Sequence, residues 1–170
     1  MTDKKRGHGA AHSRIARYGW IPDLPDHRDY AYAAPVAALV KLPALVDLRA
    51  ACPAVYDQGQ LGSCTANAIG AAVEFDQMKQ KLKEVFMPSR LFIYYNERVM
   101  EGTVDQDSGA QIRDGIKSVA KQGVCPEEMW PYDPRPYPPN SRLTRKPTRG
   151  MQSSVPTPPG ERAIPLCVAV

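Results

Sequence analysis

Three stretches of the chain set apolar residues at three- and four-residue steps, the period of a helix with one buried face. In CTANAIGAAVEFDQMKQKL, which begins at Cys64, these are Ala68, Ala71, Ala72, Phe75, Met78 and Leu82. The first half is apolar enough to be largely buried, Ser63 stands where an N-cap belongs, and Gly70 would let another element approach closely. PSRLFIYYNERVM predicts a second helix, with Pro88 at an early helical position and Leu91, Phe92, Tyr95 and Val99 as its core stripe. AQIRDGIKSVAKQ predicts a third, with Ile112, Ile116, Val119 and Ala120 on one face and Gly123 as the stop. Between these lie loops rich in Gly, Gln, Asp and Pro, and LPALVDLRA suggests a short strand from Leu45 to Arg49.

The ends lack such a period. Residues 1–17 read as a disordered basic leader and residues 18–41, with YGWIPDLPDHRDYAYAAP, as an extended surface strap. Residues 42–133 form the helical subdomain, and 134–170 a proline-rich irregular tail in which strand-like character returns only at RAIPLCVAV. Of 17 prolines, ten fall in residues 131–170, where they remove amide donors and fix φ. The net charge of +4 also belongs to the ends: residues 42–133 and the strap together carry more acidic than basic side chains. A nucleic-acid face on the folded part is therefore not expected. No apolar block follows the basic start, and Pro35, Lys41 and Pro43 interrupt the most apolar stretch, so neither a signal peptide nor a membrane partner is expected and a cytoplasmic location is favoured. Cys52, Cys64, Cys125 and Cys167 form no CxxC pair, and Gly9 follows His8 where a zinc protease motif needs Glu, so no metal and no cofactor is expected.

The chemistry concentrates at YDQGQLGSCTANA. A cysteine at a helix start can be a small buried hydrophobe. Here the helix N-terminus, with its free N–H groups and partial positive charge, favours thiolate over thiol. Gly62 and Ser63 leave the approach to the sulfur open on the side where a substrate would lie. The Gln58 carboxamide and the Cys64 backbone N–H together could form a two-donor oxyanion hole, one such donor being worth about 3–4 kcal/mol to acyl transfer.

These residues resemble the papain-like cysteine peptidases, in which Gln-Gly opens the loop and Gly-Ser-Cys closes it, here Gln58-Gly59 and Gly62-Ser63-Cys64. LPALVDLR is similar to that family's mature N-terminus, and DSGAQIRDGIKSVAKQGVCPEEMWPYD to its glycine-containing substrate loop, helix and aromatic-Pro-Tyr turn, so the likeness runs from about Leu42 to Asp133. It implies an α+β papain-like fold, represented mainly by its helical half, and peptide-bond hydrolysis through an acyl-enzyme. By resemblance Cys64 is the nucleophile, Gln58 the oxyanion donor, and Ser108 and Gly109 belong to the loop whose backbone pairs with an extended peptide or protein substrate. Read without the family, Ser108-Gly109 is an ordinary turn before a helix. Thr65 and Leu61 depart from the family, which has tryptophan after the nucleophile and, in secreted members, a disulfide cysteine three residues before it. Cys52 and Cys125 could pair in an oxidising compartment.

The family's histidine and asparagine lie roughly 130–150 residues beyond the cysteine, past about position 194. The histidines of this sequence, His8, His12 and His27, all precede Cys64. The expectation is thus of a peptidase truncated before its base, with doubtful activity alone. The alternative is an inactive half-domain, a decayed product or a binder of a peptide or protein partner.

Overall fold

The computed structural model describes residues 18–31, 33–36 and 42–133, so the leader at 1–17, the tail at 134–170 and the strand-like RAIPLCVAV lie outside the described residues. The elements are β1 (Trp20–Ile21), α1 (Cys64–Lys79), α2 (Arg90–Glu101), β2 (Ala110–Gln111) and α3 (Ile112–Gln122), with a 3₁₀ turn at Arg49–Ala51. Helix α2 is the hub. Ser89 caps it, accepting from the Phe92 N–H at 3.1 Å while donating to the Trp130 carbonyl at 2.8 Å. Gly102 ends it at φ 71°, the left-handed conformation that a glycine adopts without strain. Pro88 sits just outside the helix, bridged to Pro126, and not at an early helical position.

The stripe predicted for α2 is too narrow. All of Arg90–Arg98 is buried, whereas Val99 is 45% exposed. Leu91, Phe92, Ile93, Tyr94 and Tyr95 join Leu61, Ala66, Ile69, Ala110, Val124, Cys125 and Trp130 in one core. Trp130 meets Phe92 edge-on at 6.5 Å and Tyr95 at 5.7 Å, fixing the chain after α3 against α2. The Ser89 N–H, donating to the Cys125 carbonyl at 2.8 Å, ties the same two segments.

Helix α1 differs from its prediction in the same sense. It is buried at Thr65, Ala66, Asn67, Ile69, Gly70 and Gln77, while Ala68 and Met78 face solvent. The polar members of that face are satisfied: Thr65 donates to Glu97 at 2.9 Å, Asn67 binds Ser63 and Arg90, and Gln77 accepts from the Phe86 N–H at 2.9 Å. A hydrogen-bonded polar side chain can take a core position, so apolar spacing alone misaligned the face. Helix α3 ends at Gly123 as predicted, but it starts at Ile112, with Ala110–Gln111 forming β2, and it is buried at Gly115 and Ser118 while Ala120 is exposed. Its Gly115 permits the three helices to converge, since a Cβ there would stand 2.3 Å from Glu97 Oε1 and 2.4 Å from Ile69 Cδ1.

The expected strand at Leu45–Arg49 does not form. Its residues are exposed with no neighbouring strand to pair with among the described residues, and Asp47 instead accepts the Arg49 N–H at 3.0 Å, turning the chain into the 3₁₀ turn. The sheet comes from the strap: β1 pairs parallel with β2, Trp20 opposite Ala110 and Ile21 opposite Gln111. The result is an α+β fold of three helices around α2 with a small sheet at one edge.

Glu97, fully buried where the helices converge, has one oxygen without a hydrogen-bond partner among the described residues, and burial pushes its carboxyl up to about 8. Its folded-state value exceeds the unfolded one, so the stability tied to its proton is complete below the ordinary glutamate range and is lost as pH rises through about 8. Glu97→Gln is expected to flatten that loss, gaining on the order of 3 kcal/mol over the parent at pH 9 relative to pH 4 in urea unfolding.

Candidate active site

The loop before Cys64 is held by side chains from below. Gly59 turns it at φ 59°, with its N–H donating to Asp57 Oδ1 at 2.8 Å. Gln58 is buried and donates from Nε2 to the Leu61 carbonyl at 2.9 Å. The Tyr132 hydroxyl donates to the Gln58 carbonyl at 3.0 Å and is also hydrogen-bonded to Ser63 Oγ. Burial pushes that phenol above its ordinary range, which keeps it a donor. Arg90 lies against the Tyr132 ring at 3.9 Å and donates to the Asp57 carbonyl and to Asn67 Oδ1, each at 3.1 Å. Its charge is met by Glu127 at 2.9 Å. Ser63 is the N-cap residue of α1 by position, but its side chain makes no cap hydrogen bond, because the hydroxyl is engaged by Tyr132 and by Asn67 Nδ2 at 3.1 Å.

Cys64 opens α1, half-buried and with a free thiol. Its N–H belongs to the first turn, where backbone donors have no acceptor inside the helix. A carboxamide carries two N–H donors. One of those on Gln58 is spent on Leu61, so the loop itself fixes the orientation of the group.

On the other side, the segment from Thr103 to Gly109 is shaped by α2. Arg98 is fully buried, stacks on the Tyr94 ring at 4.2 Å and donates to the Val104 and Gln106 carbonyls at 3.0 and 2.9 Å. Ser108 Oγ serves its own loop, reaching Thr103 Oγ1 at 2.9 Å and the Gly109 carbonyl at 3.0 Å. The Gly109 N–H donates to the Tyr94 hydroxyl at 3.1 Å, and that hydroxyl donates to Asp107 Oδ1 at 2.5 Å. Asp107 also accepts the Gly62 N–H, at 3.0 Å to Oδ1.

The strap passes where these two loops meet. The Ala110 N–H donates to the Gly19 carbonyl at 2.7 Å. A Cβ on Gly19 would stand 1.6 Å from the Gly62 carbonyl oxygen, and one on Gly109 would stand 2.1 Å from the Gly19 carbonyl oxygen. Three backbones thus meet with no room for a side chain. Beyond β1 the strap is anchored on α3, where Arg113 grips Asp29 with both guanidinium nitrogens at 2.8 and 2.7 Å and donates its N–H to Asp23 at 3.0 Å. The Arg113 guanidinium holds the Asp29 carboxyl below its usual range.

Gln58, Gly62 and Ser63 are thus buried in the loop that leads to half-buried Cys64, and Gly109 is tied to that loop through Tyr94 and Asp107. His27 does not join them through any described contact: its side chain is 94% exposed and lies 3.8 Å from Asp26 on the strap. Cys52 and Cys125 are free thiols, the latter buried and pushed up to about 11 by that burial. No group of acidic, histidine or cysteine side chains able to hold a metal ion occurs among the described residues. Spacing arguments did not single out Asp107, Tyr94, Arg98 or Tyr132. For Tyr94 and Arg98 the hint was the aromatic and charged content of the second helix, and Asp107 and Tyr132 lie in the family-like stretch without having been given a role.

No family model matches the chain. Xylellain, a cysteine protease from Xylella fastidiosa, shares its fold with a TM-score of 0.73 and 46% sequence identity, the alignment covering 89% of this chain and 56% of that one. The fold is papain-like, and the likeness in sequence is to cysteine peptidases. An uncharacterised peptidase C1-like protein of Acanthamoeba polyphaga mimivirus is 64% identical over 78 residues, 46% of this chain and 25% of the viral protein. The chain thus spans about a quarter of the viral protein's length and about half of xylellain's.

Because Gly19 has no space for a methyl group against Gly62, Gly19→Ala is expected to unseat β1 while leaving the helices folded. Limited proteolysis should then cut between Tyr18 and Tyr30 at least several-fold faster than in the parent, with the melting transition of the helical core retained. An unchanged cleavage rate would refute the tight seating of the strap.

Proposed function

We propose that this chain carries the nucleophile side of a cysteine-peptidase site acting on extended peptide or protein chains. Cys64 attacks the carbonyl carbon, and the Cys64 N–H and Gln58 carboxamide receive the developing oxyanion. Gly62 and Ser63 border the attacked bond, and the Ser108–Gly109 turn leads into the backbone edge that pairs with the substrate main chain. One observation carries this reading: an extended segment of the protein's own chain, Gly19–Ile21, already lies on Gly62 and pairs with Ala110–Gln111. The groove two residues from Cys64 accepts a peptide main chain.

The base that such chemistry requires is not identified among the described residues. Unless an imidazole outside the described residues protonates the leaving amine, amide turnover is expected to be about 10²–10⁴ slower than in a complete site. Acylation is separable from that deficit. A peptidyl p-nitrophenyl ester releases a leaving group that departs without protonation, so a stoichiometric burst of nitrophenolate is expected from the full chain and a faster one from Gly19→Ala. Cys64→Ser should give no burst, and Gln58→Ala one slowed by roughly 10²-fold or more. In parallel, a peptidyl epoxide should modify Cys64 in preference to Cys52, Cys125 and Cys167. If Cys64 is labelled no faster than Cys52 and no burst is seen, the alternative holds: an inactive module whose groove only binds peptide.

A further inference from the structure

We propose that Asp107 is a positioning residue that sets the width of the peptide groove, acting through Gly62 on one wall and through Tyr94 and Gly109 on the other. The proposal rests on the reading of Cys64 and its groove given above, and it concerns a residue that never touches the sulfur.

The geometry is a relay across the groove floor. One carboxylate accepts the Gly62 N–H at 3.0 Å to Oδ1 and 3.2 Å to Oδ2, and the Tyr94 hydroxyl at 2.5 Å on Oδ1. The same hydroxyl accepts the Gly109 N–H at 3.1 Å. Gly62 lies two residues before Cys64, and Gly109 immediately before β2, the edge to which an extended chain pairs. Three bonds therefore connect the wall that presents the thiol to the wall that binds main chain, and among the described residues no disulfide joins them. Charge assistance makes the bonds to a carboxylate the strong members of the relay.

The relay has its own support. Tyr94 is fully buried, and its ring lies under the Arg98 guanidinium at 4.2 Å. Arg98 in turn holds the Val104 and Gln106 carbonyls, which flank the turn leading to Asp107. The hydroxyl can neither swing away nor be replaced by water without disturbing that stack. A Cβ on Gly62 would stand 2.9 Å from Asp107 Oδ1, so Gly62 is glycine partly to let the carboxylate reach its N–H. Each wall is thus placed by the other.

The experiment compares the full chain with Asp107→Ala, Asp107→Asn and Tyr94→Phe, with Asp105→Ala as a charge-loss reference in the same loop. Asparagine keeps the Oδ1 acceptor that serves both Gly62 and Tyr94, and phenylalanine keeps the ring over which Arg98 lies. Amide hydrogen exchange is the first readout. Asp107→Ala should speed exchange at Gly62 and at Ala110, whose N–H is bonded to the strap, by about tenfold or more. Tyr94→Phe should do so at Gly109 and Ala110 but not at Gly62, and Asp107→Asn at none of them. Ile69 and Phe92, in the cores of α1 and α2, should stay within about twofold throughout.

The second readout is labelling of Cys64. Asp107→Ala should raise the half-saturating concentration of a peptidyl epoxide about tenfold while changing the rate with chloroacetamide, which needs no groove, by less than about twofold. Flat exchange at Gly62 and Ala110 in Asp107→Ala, a uniform rise that includes Ile69 and Phe92, or an asparagine variant as impaired as the alanine one would each overturn the proposal. If the parent's Cys64 is inert to the epoxide but the exchange pattern appears as described, the positioning role stands and the nucleophile reading falls. If labelling is normal and the pattern is absent, the reverse is true.

Discussion

A helix buried on all sides can carry charged residues only where each one finds a partner, because an unpaired ion in the core costs several kcal/mol or changes its protonation. Helix α2 carries Arg90, Glu97 and Arg98 at buried positions, and the search of these side chains for partners organises the molecule. Arg90 finds Glu127, Asn67 and the Asp57 carbonyl and so fixes the loop ahead of Cys64. Arg98 finds the carbonyls of Val104 and Gln106 and fixes the opposite loop. Among the described residues Glu97 finds a hydrogen bond only from Thr65, and burial favours its holding its proton. The two loops that flank the groove are thereby shaped from one helix.

This arrangement explains what could be read in the sequence. Cys64 at a helix start was legible because the Gly-Ser turn and the apolar run that follows are local features, and the loop residues Gln58, Gly62 and Ser63 came with it. The three helices were legible for the same reason, down to Gly123 as the end of the third. Their buried faces were less so. Thr65, Asn67 and Gln77 occupy core positions through hydrogen bonds to Glu97, Ser63 and Phe86, and a rule that counts apolar residues passes over them.

Long-range polar pairs were illegible altogether. Asp107 meets Gly62 across 45 residues and Tyr132 meets Ser63 across 69, and nothing in either local sequence announces the other. The strap was expected as an extended surface segment, but its pairing was not visible, because a two-residue strand has no alternation to detect. The strand expected at Leu45 had the right composition and no neighbour to complete it among the described residues. Hydrogen-bonding company, more than propensity, decided which extended segment became a strand.

Gly19 enters the groove without a side chain and stays attached to the body through Arg113 and the aspartates of its own segment. A tethered occupant of this kind faces its site at an effective concentration on the order of millimolar. On the proposed reading, any free peptide would have to displace that local excess, and at Gly62 the resident segment contributes main chain only. On that reading a ligand with a side-chain anchor at this point would hold an advantage that the resident glycine lacks, and the tether would act as a threshold separating weak binders from strong ones.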